Sequence, residues 1–294
     1  MDPITLGLLT NVIWGPIAFG AGQLYQKRLA PGVHRATHSL RSILPFAWGA
    51  NEQLTITYGY VMPAGQTQVL SIEQGDVLAL LKAHELASTF WSPERIRIQD
   101  SNALLPDLLA RRNVLSISGP KWNKVTEHYL GTLGCPVHFI SNPRALACHA
   151  PGRELPALYE TQGRRGAIAQ VCHGLIVSGS VEAAGGERQN VVLCAGRTTL
   201  CTNACLLYLA RLSRSPGLLD ELRCGGAIAS SRWAVIVRVE NVGVQEGGLE
   251  SPLLERHVRL KAVRIVSEAE FIPPYAEAYV SGRVFHATAP DTKS

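Results

Sequence analysis

One pattern occurs twice in this chain: a short apolar run, a glycine turn and then a helical segment. The first copy is NVLSISGPKWNKVTEHYLG (residues 113–131), with its turn at Gly119-Pro120. The second copy is VVLCAGRTTLCTNACLLYLAR (residues 191–211), with its turn at Gly196. A strand, a glycine turn and a helix form half of a β-α-β unit, and open sheets of such units bind ligands beyond the carboxyl ends of their strands. The repeated pattern therefore predicts both a class of fold and the sheet edge where a site would lie.

Strand and helix patterns alternate around these two copies, which predicts an α/β fold. Short connections between elements favour a Rossmann-like, mainly parallel sheet with helices on both faces. Two runs of period two, at 233–239 and 257–266, predict an antiparallel β extension after that sheet or an antiparallel edge of it. The predicted domains are an apolar N-terminal helix (1–30), a connector (31–52), the Rossmann-like domain (53–230), and a β-hairpin extension with a C-terminal tail (231–294).

The N-terminal segment carries no charged residue from Pro3 to Gln26, and basic residues follow it directly. An uncharged stretch of this length can cross a bilayer, and the positive-inside rule would then hold the rest of the chain in the cytosol. Two interpretations are open. Residues 4–26 are either a transmembrane helix that tethers a cytoplasmic domain to the inner face of a membrane, or a helix that packs within a soluble homo-oligomer.

Composition and missing motifs exclude several classes of protein. A formal net charge of +5 without a basic block argues against nucleic-acid binding. Seven cysteines without a C-x-x-C pair are typical of free thiols in a reducing compartment. Cys201 and Cys205 would share a helical face and could ligate zinc, but no second pair of ligands has a recognisable spacing, so no metal site is predicted. The motifs of P-loop NTPases, zincins and α/β-hydrolases do not occur, nor does a full G-x-G-x-x-G.

The residues of the two turns are the candidates for ligand binding. Free N–H groups at the start of the first helix suit an anion, as does Lys121, whereas Asn123 suits a base or a ribose. Arg197 and the two hydroxyl groups after it suit a phosphate. Each turn can equally be a helix start with a polar cap and, in the first copy, a proline at the first helical position. The predicted set is Gly119, Pro120, Lys121, Asn123, Gly196, Arg197, Thr198 and Thr199.

Three carboxylates are candidates for catalysis, as general acid/base or as stabiliser of an oxocarbenium-like centre. Asp100 ends a predicted strand, where dinucleotide-binding folds often hold a ribose. Glu127 follows Asn123 by one helical turn, and Glu160 lies in an irregular stretch, 141–170, that is either a lid over the site or a disordered insertion. The alternatives are a turn-forming Asp100 and a solvated Glu127. Among the histidines, only His173 at a strand start is expected near the site, where a structural role is the alternative.

The element order of residues 65–215 behind an apparent anchor resembles membrane-tethered effectors of bacterial defence that sense or degrade nucleotides. It is also similar in outline to TIR-type and deoxyribosyltransferase-type glycosidases of NAD or nucleosides. This resemblance rests on element order, so it assigns no catalytic residue here. We expect the α/β domain to bind a nucleotide-like, phosphate-bearing small molecule, with NAD among the candidates. The alternatives are an NAD or nucleoside glycosidase or transferase, and a non-catalytic oligomeric scaffold.

Overall fold

The computed structural model describes residues 40–49, 51–59, 74–101, 111–141, 143–150, 153–162, 169–182, 186–212, 216–224, 231–241 and 258–271. The predicted N-terminal helix lies outside these residues, so membrane anchoring and oligomer formation through it stay predictions. Within the described residues, no helix is both long enough and apolar enough to span a bilayer.

In the described residues, helices separate groups of consecutive strands. The α-helices are α1 (Gln74–Ala87), α2 (Lys124–Thr132), α3 (Thr199–Leu212) and α4 (Pro216–Cys224). The strands in chain order are β1 (Leu54–Tyr58), β2 (Ile96–Asp100), β3 (Asn113–Ile117), β4 (Val137–Ile140), β5 (Ala145–Ala150), β6 (Arg153–Glu154), β7 (Leu158–Tyr159), β8 (Thr161–Gln162), β9 (Ala169–Glu182), β10 (Arg188–Gly196), β11 (Trp233–Asn241) and β12 (Val258–Val266). Short 3₁₀ helices occupy Pro93–Arg95 and Glu268–Glu270.

The large sheet is mixed, with the strand order β12-β11-β9-β10-β3-β1-β2. β2, β1, β3 and β10 are parallel neighbours, whereas β9, β11, β12 and the short β8 pair antiparallel. β4 to β7 form a smaller sheet that is antiparallel throughout its described pairings. The prediction of a Rossmann-like, mainly parallel sheet is therefore wrong, because antiparallel pairings predominate in this mixed α/β fold.

The error arises at β9. The sequence pattern places a strand start at His173, but residues Ala169–Glu182 form one long strand. The connection 183–187 leads directly into β10 and is too short for a parallel crossover, which needs roughly a dozen residues or more. β9 and β10 therefore form a hairpin. β11 pairs with the other edge of β9, so β11 and β12 form an antiparallel edge of the large sheet, which is one of the two arrangements that their sequence pattern predicts.

The hydrophobic core lies on both faces of the large sheet. In β10, Val192 and Cys194 pack with α1 and α3, whereas Val191 and Leu193 pack with α2 and the smaller sheet. Successive side chains of a strand point to opposite faces, so a strand covered on both faces is apolar at every position. This explains the uninterrupted apolar runs in the sequence. The two glycine turns follow the carboxyl ends of β3 and β10.

Candidate functional site

The two glycine turns lie side by side at the carboxyl ends of β3 and β10. Cys194 pairs with Ile117 in the parallel ladder, and the amide of Ser118 donates to the carbonyl of Cys194 at 3.2 Å. A methyl group added to Gly119 would overlap the carbonyl oxygen of Gly196. Only glycine permits so close an approach of the two backbones. The structure thus brings together the two turns that the sequence pattern singled out.

Ser118, directly before the first turn, adopts a backbone conformation that is unusual for a residue with a side chain. Its φ is 87°, in the left-handed region. Such a conformation costs about 1 kcal/mol or more and persists only where surrounding contacts fix it. Here the Thr126 hydroxyl donates to the Ser118 carbonyl at 3.1 Å and also contacts the Ser116 hydroxyl at 2.8 Å. The turn geometry is therefore imposed by buried hydrogen bonds, and strain of this kind is concentrated at functional sites.

Asn123 is fully buried and holds the first turn in place. Its Oδ1 accepts from the amides of Val125 and Thr126, at 2.9 and 3.1 Å, and so caps α2. Its Nδ2 donates to the carbonyl of Ile117 at 2.6 Å and lies 3.4 Å from that of Thr57. These contacts use the hydrogen-bonding capacity of the amide within the fold. Asn123 therefore positions the turn, and its direct contact with a ligand stays a prediction.

Lys121 and Pro120 form the outer part of the first turn. Lys121 is exposed, and its ammonium lies 4.4 Å from the centroid of the Trp122 ring, which is a cation–π contact. Pro120 is half-buried, three residues before the Asn123 cap, so it is not the first residue of α2. The cap directs the N-terminus of α2, with its partial positive charge, towards this edge of the sheet.

Arg197 leaves the second turn on the side of the smaller sheet. Its guanidinium donates to the carbonyl of Ile140, and its Nε lies 3.9 Å from a carboxylate oxygen of Glu160. The Glu160 side chain is 3% exposed, and burial raises its pKa although Arg197 and Arg144 act in the opposite direction. The predicted catalytic residue Glu160 and the predicted binding residue Arg197 are thus brought together.

Thr198 and Thr199 form the start of α3. The Thr198 hydroxyl accepts from the amide of Cys201 at 3.3 Å and lies 3.1 Å from its Sγ. Thr199 is the first helical residue, and its carbonyl accepts from Asn203 at 2.9 Å. Both threonines are half-buried. A second helix N-terminus therefore reaches the same sheet edge as α2.

The other two predicted carboxylates lie apart from Glu160. Asp100 ends β2, the outermost strand, opposite Tyr58, whose pKa is raised by burial and by the Asp100 charge. Glu127 is 45% exposed on α2 and forms an ion pair with Lys124 at 3.0 Å. Strands β3 and β1 separate β2 from β10, and Glu127 lies on the helix that follows the first turn.

The large sheet is interrupted where the second turn leaves it. β9 pairs with β10 from Gly174 onwards and, along the same edge, with β8 up to Val171. Cys172 and His173 lie between these two partners, and we call this pair the β9 gap. The gap could not be anticipated, since the two-residue strand β8 has no periodicity in sequence. Of the two residues of the gap, the sequence analysis expected only His173 near the site, because of its place at a predicted strand start.

Both residues of the β9 gap are buried. Hydrogen bonding with Cys201 and burial raise the pKa of the Cys172 thiol, so this thiol stays protonated and is a poor nucleophile. His173 is 5% exposed, and burial, together with the charge of Arg238, lowers its pKa. Its Nδ1 has no hydrogen-bond partner among the described residues. The gap therefore places a neutral imidazole next to the second turn.

A cavity of about 350 Å³ lies at the opposite edge of the sheet, near the amino end of β10. Its lining residues include Ile43, Leu44, Ser178, Arg188, Asn190 and Trp233. Its volume would suit a small molecule. Among the described residues its lining has one charged side chain, that of the exposed Arg188, whereas the carboxyl edge combines two helix N-termini with basic and acidic groups. We therefore place the candidate site at the carboxyl edge.

No group of three or more His, Cys, Asp or Glu side chains suited to a metal ion occurs in the described part of the chain.

Comparison with known proteins gives no assignment, since no family model matches the chain and no curated protein is significantly similar to it.

Proposed function

We propose that this chain binds a small phosphate-bearing molecule, such as a nucleotide, across the carboxyl ends of β3 and β10. The observation that supports this most is the contact between Gly119 and Gly196. Because of it, Lys121, Arg197 and the N-termini of α2 and α3 share one edge of the sheet. Backbone N–H groups and cations at such an edge attract oxyanions.

The ligand would lie over the two turns and not between them, since their backbones are in contact. Arg197 is 20% exposed, and the carbonyl of Ile140 and the carboxylate of Glu160 fix its direction. A guanidinium has five N–H donors, so these contacts orient Arg197 and leave donors for a ligand oxygen. Lys121 is exposed on the neighbouring turn and supplies a second positive charge.

Arg197→Ala is expected to weaken binding about tenfold or more, because a charge-assisted hydrogen bond contributes roughly 1.5–3 kcal/mol. Isothermal titration of the full-length chain with NAD, ATP, GTP, cyclic nucleotides and nucleosides measures the affinity. Arg112→Ala is the matched control, since it removes an exposed arginine beside the amino end of β3. Equal affinity of the Arg197→Ala, Arg112→Ala and wild-type proteins would refute this site.

The second candidate is a glycosidase or transferase that acts on NAD or a nucleoside, and the burial of Glu160 favours it. A carboxyl group with a raised pKa is suited to general acid catalysis. Glu160→Gln preserves the size of the side chain, so ligand affinity should change by less than about fivefold while release of nicotinamide or base falls about a hundredfold or more. Chromatography of the reaction products measures this release. The exposed Glu85→Gln serves as control, and this candidate fails if the wild type releases no base or if Glu160→Gln releases it at the wild-type rate.

A further inference from the structure

Two buried nitrogen atoms beside the β9 gap have no hydrogen-bond partner among the described residues. They are Nδ1 of His173 and Nε of Arg238. The two residues are directly opposite each other in the antiparallel ladder of β9 and β11. Directly opposite residues project from the same face of a sheet, so these two side chains are neighbours. Buried polar groups are nearly always paired, and two adjacent unpaired ones point to a ligand group that would complete both.

The pair belongs to the same sheet edge as the proposed ligand site. Gly174 pairs with Gly196, so His173 lies one position beyond the end of β10, where the second turn begins. Leu175 packs with α2 and the smaller sheet, and the alternation of the strand places His173 on that face too. Arg197 contacts Ile140 of the smaller sheet on the same side. A ligand over the second turn can therefore extend towards His173 and Arg238.

Neighbouring charges leave this face positive. Arg238 forms an ion pair with Glu240 through its terminal nitrogen at 2.9 Å, and that contact fixes the guanidinium while Nε stays buried. The positive charge of Arg197 is likewise paired with the carboxylate of Glu160. Lys261 pairs with Arg238 across the β11–β12 ladder and adds a positive charge. Among the described residues, the cations Arg197, Arg238 and Lys261 thus outnumber the carboxylates Glu160 and Glu240, and this net positive charge would attract an anionic group of the ligand.

We infer that His173 and Arg238 form the phosphate subsite of the proposed ligand site, with Nδ1–H of the imidazole and Nε–H of the guanidinium donating to the same phosphate group. This inference rests on the proposed function, because it assigns the position of the ligand's anionic end. The neutral imidazole can carry its proton on Nδ1 and so donate without being charged. Arg197 and Lys121 would then contact other oxygen atoms of the same ligand.

Inorganic phosphate is the probe for this subsite, added to the full-length chain at constant ionic strength. We expect phosphate to raise the melting temperature of the wild type in a saturable way, as any ligand specific for the folded state does. His173→Leu removes Nδ1 and is expected to weaken phosphate binding at least fivefold. His173→Asn keeps an N–H donor close to the position of Nδ1 and should retain most of the binding. Arg238→Lys keeps the charge but loses Nε–H, so it should behave like His173→Leu.

The matched control is Arg259→Ala, which removes an exposed arginine from the neighbouring strand β12. A wild-type protein without a phosphate-dependent shift overturns the inference, and so does an equal loss of the shift in Arg259→Ala and Arg238→Lys. Wild-type phosphate binding in a folded His173→Leu protein overturns it as well. If His173→Leu does not fold, Arg238→Lys and His173→Asn are compared instead. Arg238→Lys should lose phosphate binding and His173→Asn should retain it, and equal binding by these two variants overturns the inference.

Nucleotide titrations separate failure of the subsite from failure of the proposed function. Loss of nucleotide binding in Arg197→Ala but not in His173→Leu would refute the subsite and retain the function. Unchanged nucleotide binding in both variants would refute both. Reduced binding in both, with Arg259→Ala unaffected, is the result that we expect.

Discussion

Gly119→Ala is expected to lower the free energy of unfolding by about 3 kcal/mol, at the upper end of what overpacking usually costs. The added methyl group would overlap the carbonyl oxygen of Gly196. That oxygen belongs to the backbone at the end of β10, so it can move only if β3 and β10 separate at their carboxyl ends. The loss should appear as a lower midpoint of urea unfolding with an unchanged m-value.

Gly217→Ala is the matched control for this substitution. A methyl group on Gly217 meets no atom within 4 Å, and the residue lies in the first turn of α4. The higher helix propensity of alanine should leave the stability unchanged or raise it by up to about 1 kcal/mol. Equal midpoints for Gly119→Ala and Gly217→Ala would show that the two turns are not in backbone contact in solution.

Asn123→Ala should also lower the free energy of unfolding by about 3 kcal/mol. Removal of the helix cap accounts for about 1 kcal/mol, and the buried backbone groups left without partners account for the remainder. Those groups are the amides of Val125 and Thr126 and the carbonyl of Ile117. Chemical denaturation of the full-length variants measures the loss.

A second substitution at this position separates the helix cap from the contact with Ile117, and a substitution of an exposed asparagine serves as the control. Asn123→Ser retains a cap acceptor but has no amide donor for the Ile117 carbonyl, so its stability should lie between those of the wild type and Asn123→Ala. Asn51→Ala removes an exposed asparagine from a turn and should change the stability by less than about 0.5 kcal/mol. A loss in Asn123→Ala no larger than that in Asn51→Ala would contradict the role of Asn123 in fixing the turn.

Local sequence patterns were sufficient to locate both glycine turns. Each apolar run is a strand and each following segment is a helix, β3 with α2 and β10 with α3. These elements could be predicted because apolar periodicity and helix-start residues are local signals. Strand direction is not a local property. The hairpin of β9 with β10 was missed because an apolar strand buried on both faces looks the same whether its neighbours are parallel or antiparallel.

In the candidate site, too, local sequence patterns predicted some features and could not predict others. Arg197 was indicated by its position after a glycine, whereas its contact with Glu160 depends on how a stretch without periodicity folds against the sheet. Asn123 illustrates a second limit. A polar residue at a helix start suits ligand binding and capping equally, and only the burial of its amide shows that the fold uses its hydrogen bonds. The unpaired nitrogens of His173 and Arg238 require pairing information that no local pattern contains.

Hydrogen exchange of the full-length chain, with and without the best-binding nucleotide, tests the location of the site most directly. If the ligand binds across β3 and β10, amides in 118–126 and 196–202 should exchange more slowly in its presence, because binding suppresses local opening. Amides of 43–47 and 188–190, beside the cavity at the other edge, should be unaffected. Protection concentrated at 43–47 and 188–190, or no protection by any nucleotide, would contradict a phosphate-binding site at the carboxyl ends of these strands.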